Sequence, residues 1–329
     1  MATATATTTT THAASQESSD AFLQSLKQKH SAPLWTVLHQ LVPAHPNPKA
    51  APMLWKYSEM RPSLMQAGEI VGAEEAERRV LMLVNPKMQP PYTTDTIYSG
   101  LQLVLPGETA PAHRHVAFAL RFIIEGSEGF TAVEGQKIPM ARGDVILTPP
   151  WHWHDHGNEG DDPMIWLDGL DLPLFRNVPV NFAENYRESR YPSSPAPDSP
   201  WRFSWKETLA ALDRDKTSQP YSIYHYHGKN RKHLSDTISA QAERIASGHT
   251  TDPRRETCSF IYHVESGEGR TTILVPDGSQ TEIHWTARDT FAVPAWSRLQ
   301  HTCTSGSDAY LFAINDRPLV EALGLFRQD

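Results

Sequence analysis

The sequence predicts an all-β-dominated chain with two small β-barrels in tandem behind a helical N-terminal segment. Three observations predict it. Short β-rich runs divided by glycine or proline turns follow one another between residues 97 and 150 (IYSGLQLVL, HVAFALRFII, FTAVEGQKI, DVILTPP), as in an antiparallel sandwich or barrel. A second β-rich set follows residue 258 (SFIYHVESGEGRTTILV, EIHWTARDTFAVPAW, DAYLFAIND). The order of elements also repeats: RFIIEGSEGFTAV then ARGDVILTPPWHWH is matched by FIYHVESGEGRTTI then ARDTFAVPAWSRLQH. Each copy has a strand, a Glu/Ser/Gly turn, a second strand, and an Asp-led strand ending in Pro, Trp and His, which is the mark of an internal duplication.

The elements follow in order. Residues 1–19 are low in complexity and rich in Thr and Ala, and are expected to be a disordered tail. Residues 20–95 form the helical segment. Within it, SDAFLQSLKQKH places Phe22, Leu23 and Leu26 at helical spacing, and Ser31 reads as the N-cap of PLWTVLHQL with Pro33 in its first turn. Pro-rich coil follows over 42–52, then a third short helix over 73–80. Residues 96–186 are the first barrel, 187–204 a linker rich in proline and serine, and 205–329 the second barrel.

Composition narrows the function. At 329 residues and 39% hydrophobic content the chain can bury a core. Its net charge of −8, with no basic block, argues against nucleic acid. Neither of the two cysteines, Cys258 and Cys303, sits in a CxxC pair, which fits a reducing cytoplasm. No apolar run approaches a membrane span of roughly 20 residues. The N-terminus carries neither a secretory pattern nor the arginines of a transit peptide.

Five of the 16 histidines fall in two short stretches, His113-Arg-His115 and Trp-His152-Trp-His154-Asp-His156. Alternate side chains of a strand share a face. His113 and His115 therefore project together, as do His152, His154 and His156, and adjacent strands would gather them around a divalent transition metal. Strand geometry alone does not choose among the last three. If one strand runs from His113 to Ile123, the small Ala117 and Ala119 share the histidines' face and Arg121 enters the same cavity. A buried guanidinium needs a partner, either a structural carboxylate or that of a substrate.

Gly107-x5-His113-x-His115 resembles the first cupin motif, and Gly143-x5-Pro149-x4-His154-x3-Asn158 the second. Within the bicupins, PAHRHVAFALRFIIEG followed by TPPWHWHDHGN is similar to the gentisate 1,2-dioxygenase family, which includes salicylate and 1-hydroxy-2-naphthoate dioxygenases. The resemblance covers roughly residues 30–329 and is strongest over 96–176. It implies two jelly-roll (double-stranded β-helix) barrels and one Fe(II) per chain held by His113, His115 and His154. It makes Arg121, His156 and Asp168 catalytic or substrate-binding, and puts Gln102 and Tyr98 in the pocket. Tyr98 stands where salicylate-cleaving relatives carry Trp. Arg79 or its neighbour Arg78 would reach in from the N-terminal segment, Arg79 being preferred. Many cupins carry a fourth ligand, a Glu, four or five residues after the second His; here Ala119 and Leu120 stand there. Three neutral imidazoles leave the metal's charge uncompensated, which suits a substrate chelating through carboxylate and ortho-hydroxyl.

The second barrel is expected to hold no metal. Arg254, Arg255 and Glu256 replace its HxH, and His301 is read as a remnant of the third ligand. The implied reaction is ring cleavage of gentisate by O₂ to maleylpyruvate. The rival readings are salicylate, a substituted salicylate or 1-hydroxy-2-naphthoate as substrate, an isomerase or oxalate-type cupin (which the missing Glu disfavours), and a non-catalytic ligand-binding bicupin. The implied partners are a small aromatic hydroxy acid, O₂ and further copies of the chain, as a tetramer or dimer.

Overall fold

The computed structural model describes residues 8–329. It divides into two compact units, Met1–Asn47 and Pro48–Asp329. The first unit is helical, with a helix over Thr8–Gln28, a 3₁₀ turn at Leu34–Thr36 and one helical turn at Leu38–Leu41. None of residues 18–47 is buried. Two expectations change here. Of the disordered tail expected over 1–19, residues 1–7 lie outside the described residues and the rest is helical. No glycine or proline interrupts the Thr/Ala run, so nothing stops the helix from extending back past Ser19. Ser31 caps nothing: Pro33 holds the N-cap position of the 3₁₀ turn, without a side-chain bond.

In the second unit, Tyr57–Ile70 is a helix that the sequence reading missed because Pro62 lies inside it. The helix expected over 73–80 is a single turn, Ala73–Ala76, before the chain turns into the strand Val80–Met82. The first barrel has eight strands: β1 (Tyr98–Val104), β2 (Thr109–His115), β3 (Ala119–Glu125), β4 (Gly129–Val133), β5 (Gln136–Pro139), β6 (Val145–Thr148), β7 (His154–Asn158) and β8 (Met164–Leu170). They form two antiparallel sheets, β6-β3-β8-β1 and β2-β7-β4-β5, the strand order of a jelly roll. The proline-rich segment that follows is stitched into both sheets: Ser194–Pro195 pairs with β5, and Arg202–Phe203 with β6.

The second barrel repeats this order with β9 (Ser239–Ile245), β10 (Phe260–Ser266), β11 (Glu268–Leu274), β12 (Gln280–Thr286), β13 (Thr290–Val293), β14 (Arg298–Cys303) and β15 (Ala309–Asn315). Its sheets contain β13-β10-β15-β9 and β14-β11-β12. The place of β2 is held by a two-residue strand, Arg254–Arg255, beside β14. Even the irregularity repeats, with a register shift between β8 and β3 at Ile165/Trp166 and between β10 and β15 at Val264/Ser266. The two barrels can therefore be aligned position by position.

The barrels pack sheet against sheet. Leu101, Leu103, Leu120, Phe122, Leu147 and Leu167 share one core with Ala242, Ile261, Phe312 and Ile314. Phe122 stacks on Phe312 at 4.4 Å. With Leu120 and Phe122 turned outward, the pleat turns Arg121 and Ile123 into the first barrel. No single strand runs from His113 to Ile123, as the sequence reading supposed. The chain leaves β2 at His115 and enters β3 at Ala119, in the opposite sheet. Arg121 thus faces the histidines from across the barrel. Among the described residues no helix is long and apolar enough to cross a membrane.

Candidate metal centre

β2 and β7 are paired, and His113 lies directly opposite His154. One potential ligand atom from each of His113, His115 and His154 falls within 4.8 Å of the others. Backbone carbonyls orient the rings. Nδ1 of His115 lies 2.8 Å from the Ala117 carbonyl, Nδ1 of His154 lies 2.9 Å from that of His152, and Nδ1 of His113 lies 3.3 Å from that of Pro111. A proton donated there from Nδ1 of His115 and His154 leaves their Nε2 lone pairs for a cation. His154 Nε2 is buried and without a hydrogen-bond partner among the described residues. Burial, reinforced by neighbouring cationic groups, holds His115 down to about 4 and keeps His154 well below the ordinary imidazole range. Three neutral imidazoles fit a divalent transition metal.

His156 lies deeper on β7. Its Nδ1 is 2.9 Å from the Thr131 hydroxyl, and its buried Nε2 has no hydrogen-bond partner among the described residues. Across the barrel, Arg121 and Asp168 sit opposite each other on β3 and β8, 3% and 4% exposed. Arg121 Nε is 3.5 Å from Asp168 Oδ1, and Arg121 Nη1 donates to Thr148 Oγ1 at 2.6 Å. The Trp166 indole N–H donates to Asp168 Oδ1 at 3.0 Å. Burial pushes the Asp168 carboxyl up to about 6, against the pull of Arg121. On β1, Gln102 pairs with Trp166 and Tyr98 with Leu170. Gln102 Nε2 is buried and without a hydrogen-bond partner among the described residues, and burial together with the Asp168 charge raises the Tyr98 phenol.

The arginine expectation is corrected. Arg79 is 7% exposed and turned away from the histidines, held by Glu108 at 2.7 and 2.8 Å and by the Val71 carbonyl. Arg78 is the one that reaches the site, with a guanidinium nitrogen against the His113 ring. Adjacent residues point to opposite sides, so an acidic anchor for one sends the other to the cavity, and the sequence does not mark Glu108 as that anchor. His152 also stays out of the metal group, with Nδ1 on the Pro150 carbonyl at 2.9 Å and its ring against Trp201. Trp151 and Trp153 pack on either side of Arg114, each 4.4 Å from its guanidinium. Thr131, Thr148 and Trp166 escaped the sequence reading. Only their inward parity on strands flanking the histidines marks them.

The second barrel lacks this constellation. Leu299 occupies the place of His154, and Arg254 that of His113. His301 is therefore not the remnant of a metal ligand. It matches His156, opposite Thr271 as His156 is opposite Thr131, and its Nδ1 makes the same hydrogen bond, 2.7 Å from Thr271 Oγ1. Arg254 is bound to the buried Glu243 at 2.5 Å and supplies a positive charge within the barrel.

Residues 100–170 match the cupin domain family. Along nearly its whole length the chain is similar to gentisate 1,2-dioxygenase 1 of Aquipseudomonas alcaligenes, 36% identical over 93% of this chain and 95% of that one. It is also similar to 5-aminosalicylate 1,2-dioxygenase of a Comamonas species, 33% identical over 94% and 89% of the two chains. Among solved structures it matches the salicylate 1,2-dioxygenase of Pseudaminobacter salicylatoxidans with a TM-score of 0.85 and 30% identity, covering 94% of this chain and 97% of that one.

Proposed function

The chain belongs to the gentisate 1,2-dioxygenase family of ring-cleaving cupin dioxygenases, and from that premise we propose that its own substrate is gentisate, opened between the carboxyl- and hydroxyl-bearing carbons to maleylpyruvate with Fe(II) as the metal. One observation carries the reading: three convergent imidazoles with no carboxylate among them face a buried Arg121–Asp168 pair across the same barrel. His113, His115 and His154 would hold the metal, which when bound supplies the redox chemistry that joins O₂ to the aromatic ring.

The remaining work falls to the chain. Arg121 and Arg78 give the cavity two guanidiniums against one carboxylate, so it favours an anionic ligand. Each guanidinium can take a carboxylate as a fork. His156 Nε2, buried and neutral, is placed to hydrogen-bond a substrate oxygen. Asp168, ionised above about pH 6, accepts the hydrogen bond of the hydroxyl para to the ortho-hydroxyl, the group that distinguishes gentisate from salicylate. The barrel wall of Ile123, Ile146 and Trp166 keeps water from the ring.

A second reading, salicylate or a substituted salicylate, has its own support: relatives at 30–33% identity are named for salicylate and 5-aminosalicylate. Homo-oligomeric assembly and a cytoplasmic setting complete the proposal, the latter in line with two buried, unpaired cysteines. Mass analysis of the product formed from gentisate by the Fe(II)-loaded protein tests the reading. The expected product is an open-chain acid with the mass of gentisate plus both atoms of O₂. An unchanged acid would refute it.

A further inference from the structure

The duplication supplies an internal control for which inward residues a barrel of this chain needs in order to fold. Registers align Arg121 with Tyr262, Thr148 with Val293, Trp166 with Leu311 and Asp168 with Ala313. The barrel without the metal histidines thus has apolar residues for Thr148, Trp166 and Asp168, and in place of Arg121 a tyrosine whose hydroxyl bonds to Arg254 and Glu243. It still closes with the same strand order, the same bulge and full burial at those positions. Val is the isostere of Thr, so the contrast at 148/293 is a hydroxyl alone. The fold does not require that hydroxyl, nor the indole N–H at 166.

We propose that Thr148 and Trp166 are positioning residues, which aim the Arg121 guanidinium and the Asp168 carboxylate at an aromatic acid bound in the first barrel. The inference rests on the functional reading above. Thr148 Oγ1 accepts from Arg121 Nη1 at 2.6 Å, while Arg121 Nε stands 3.5 Å from Asp168, with no hydrogen bond of its own among the described residues. The Thr148 bond therefore fixes the rotation of the guanidinium about its stem. The contact with Asp168 is loose, so without Thr148 the fork is free to turn from the cavity toward that carboxylate. Trp166 works on the other partner. Its N–H donates to Asp168 Oδ1 at 3.0 Å and leaves Oδ2 for a substrate hydroxyl. The Asp168 backbone carbonyl is tied separately, accepting from the Ser99 hydroxyl at 2.7 Å.

The test is anaerobic titration of the Fe(II)-loaded protein with gentisate and with its carboxamide, which lacks the charge Arg121 would hold. Thr148→Val is expected to weaken gentisate binding about ten-fold, the order of a lost hydrogen bond to a charged group, and to leave carboxamide binding nearly unchanged. Its metal content and thermal midpoint should match those of the parent. Thr148→Ser should restore the affinity. In turnover the loss appears in KM rather than in kcat. For Trp166→Phe the readout is the acid limb of the pH profile, which moves toward neutrality because the carboxylate has lost a donor. Equal affinity of Thr148→Val and parent for gentisate, or equal weakening of both ligands, overturns the proposal. An acid limb unmoved in Trp166→Phe overturns its second half. Absence of gentisate binding to the parent protein itself refutes the functional reading, and this inference with it.

Discussion

Asp168 is buried beside Arg121 and has a carboxyl raised to about 6, so its proton comes off in the range where enzymes are usually assayed. Below that pH the carboxyl is neutral and can no longer accept a hydroxyl's hydrogen bond as an anion. Activity on gentisate is expected to fall as pH drops through about 6. Asp168→Asn should lower kcat and erase that limb, as a pH–rate series would show. The two adjacent arginines separate binding from stability. Arg78→Met is expected to raise KM about ten-fold with little change in thermal midpoint, on the order of a lost charged hydrogen bond. Arg79→Met should leave KM alone and lower the midpoint, because it strands Glu108. At this scale the three-histidine group was legible in the sequence: parity joins His113 to His115, and the resemblance to the second cupin motif picks His154 from three candidates. Arg78 was not, because choosing between neighbours takes a carboxylate that the fold supplies from 29 residues away.

Strand ends and turns set where these side chains point. Gly143, which opens β6 and hence the approach to His154, has φ +83°, and a Cβ there would lie 2.5 Å from the Trp205 ring. Gly143→Ala therefore combines backbone strain with a clash and is expected to cost about 2–4 kcal/mol in chemical denaturation. Gly107→Ala, at φ +77° with nothing within 4 Å, should cost only about 1 kcal/mol of strain. The strands were legible from their alternation and their Gly/Pro boundaries. The break at 116–118 was not, since Val116, Ala117 and Phe118 are apolar residues that read as a continuation of the strand. The helix over Tyr57–Ile70 was hidden for the opposite reason, an internal proline that the fold tolerates.

In the whole molecule, duplication divides the labour. One barrel keeps open lone pairs, and the other fills its interior with Glu243, Arg254 and the tyrosines that bond to them. The repeated order of turns and strands made that duplication visible in the sequence. The meaning of His301 was open to spacing as well as to strand register: it lies seven residues after Pro294, as His156 lies seven after Pro149, and the strands pair it accordingly. Metal titration should accordingly saturate at about one ion per chain and raise the thermal midpoint as ligand binding to the native state requires. Chelation should lower the midpoint without unfolding the second barrel. This centre is proposed to open an ortho-hydroxy aromatic acid with dioxygen. Oxygen uptake by the Fe(II)-loaded protein, with gentisate and salicylate in parallel and His154→Ala as control, measures it directly. The expected result is one O₂ consumed per gentisate, slower or no uptake with salicylate, and none in the variant. No uptake with gentisate by protein carrying one bound iron per chain would contradict it.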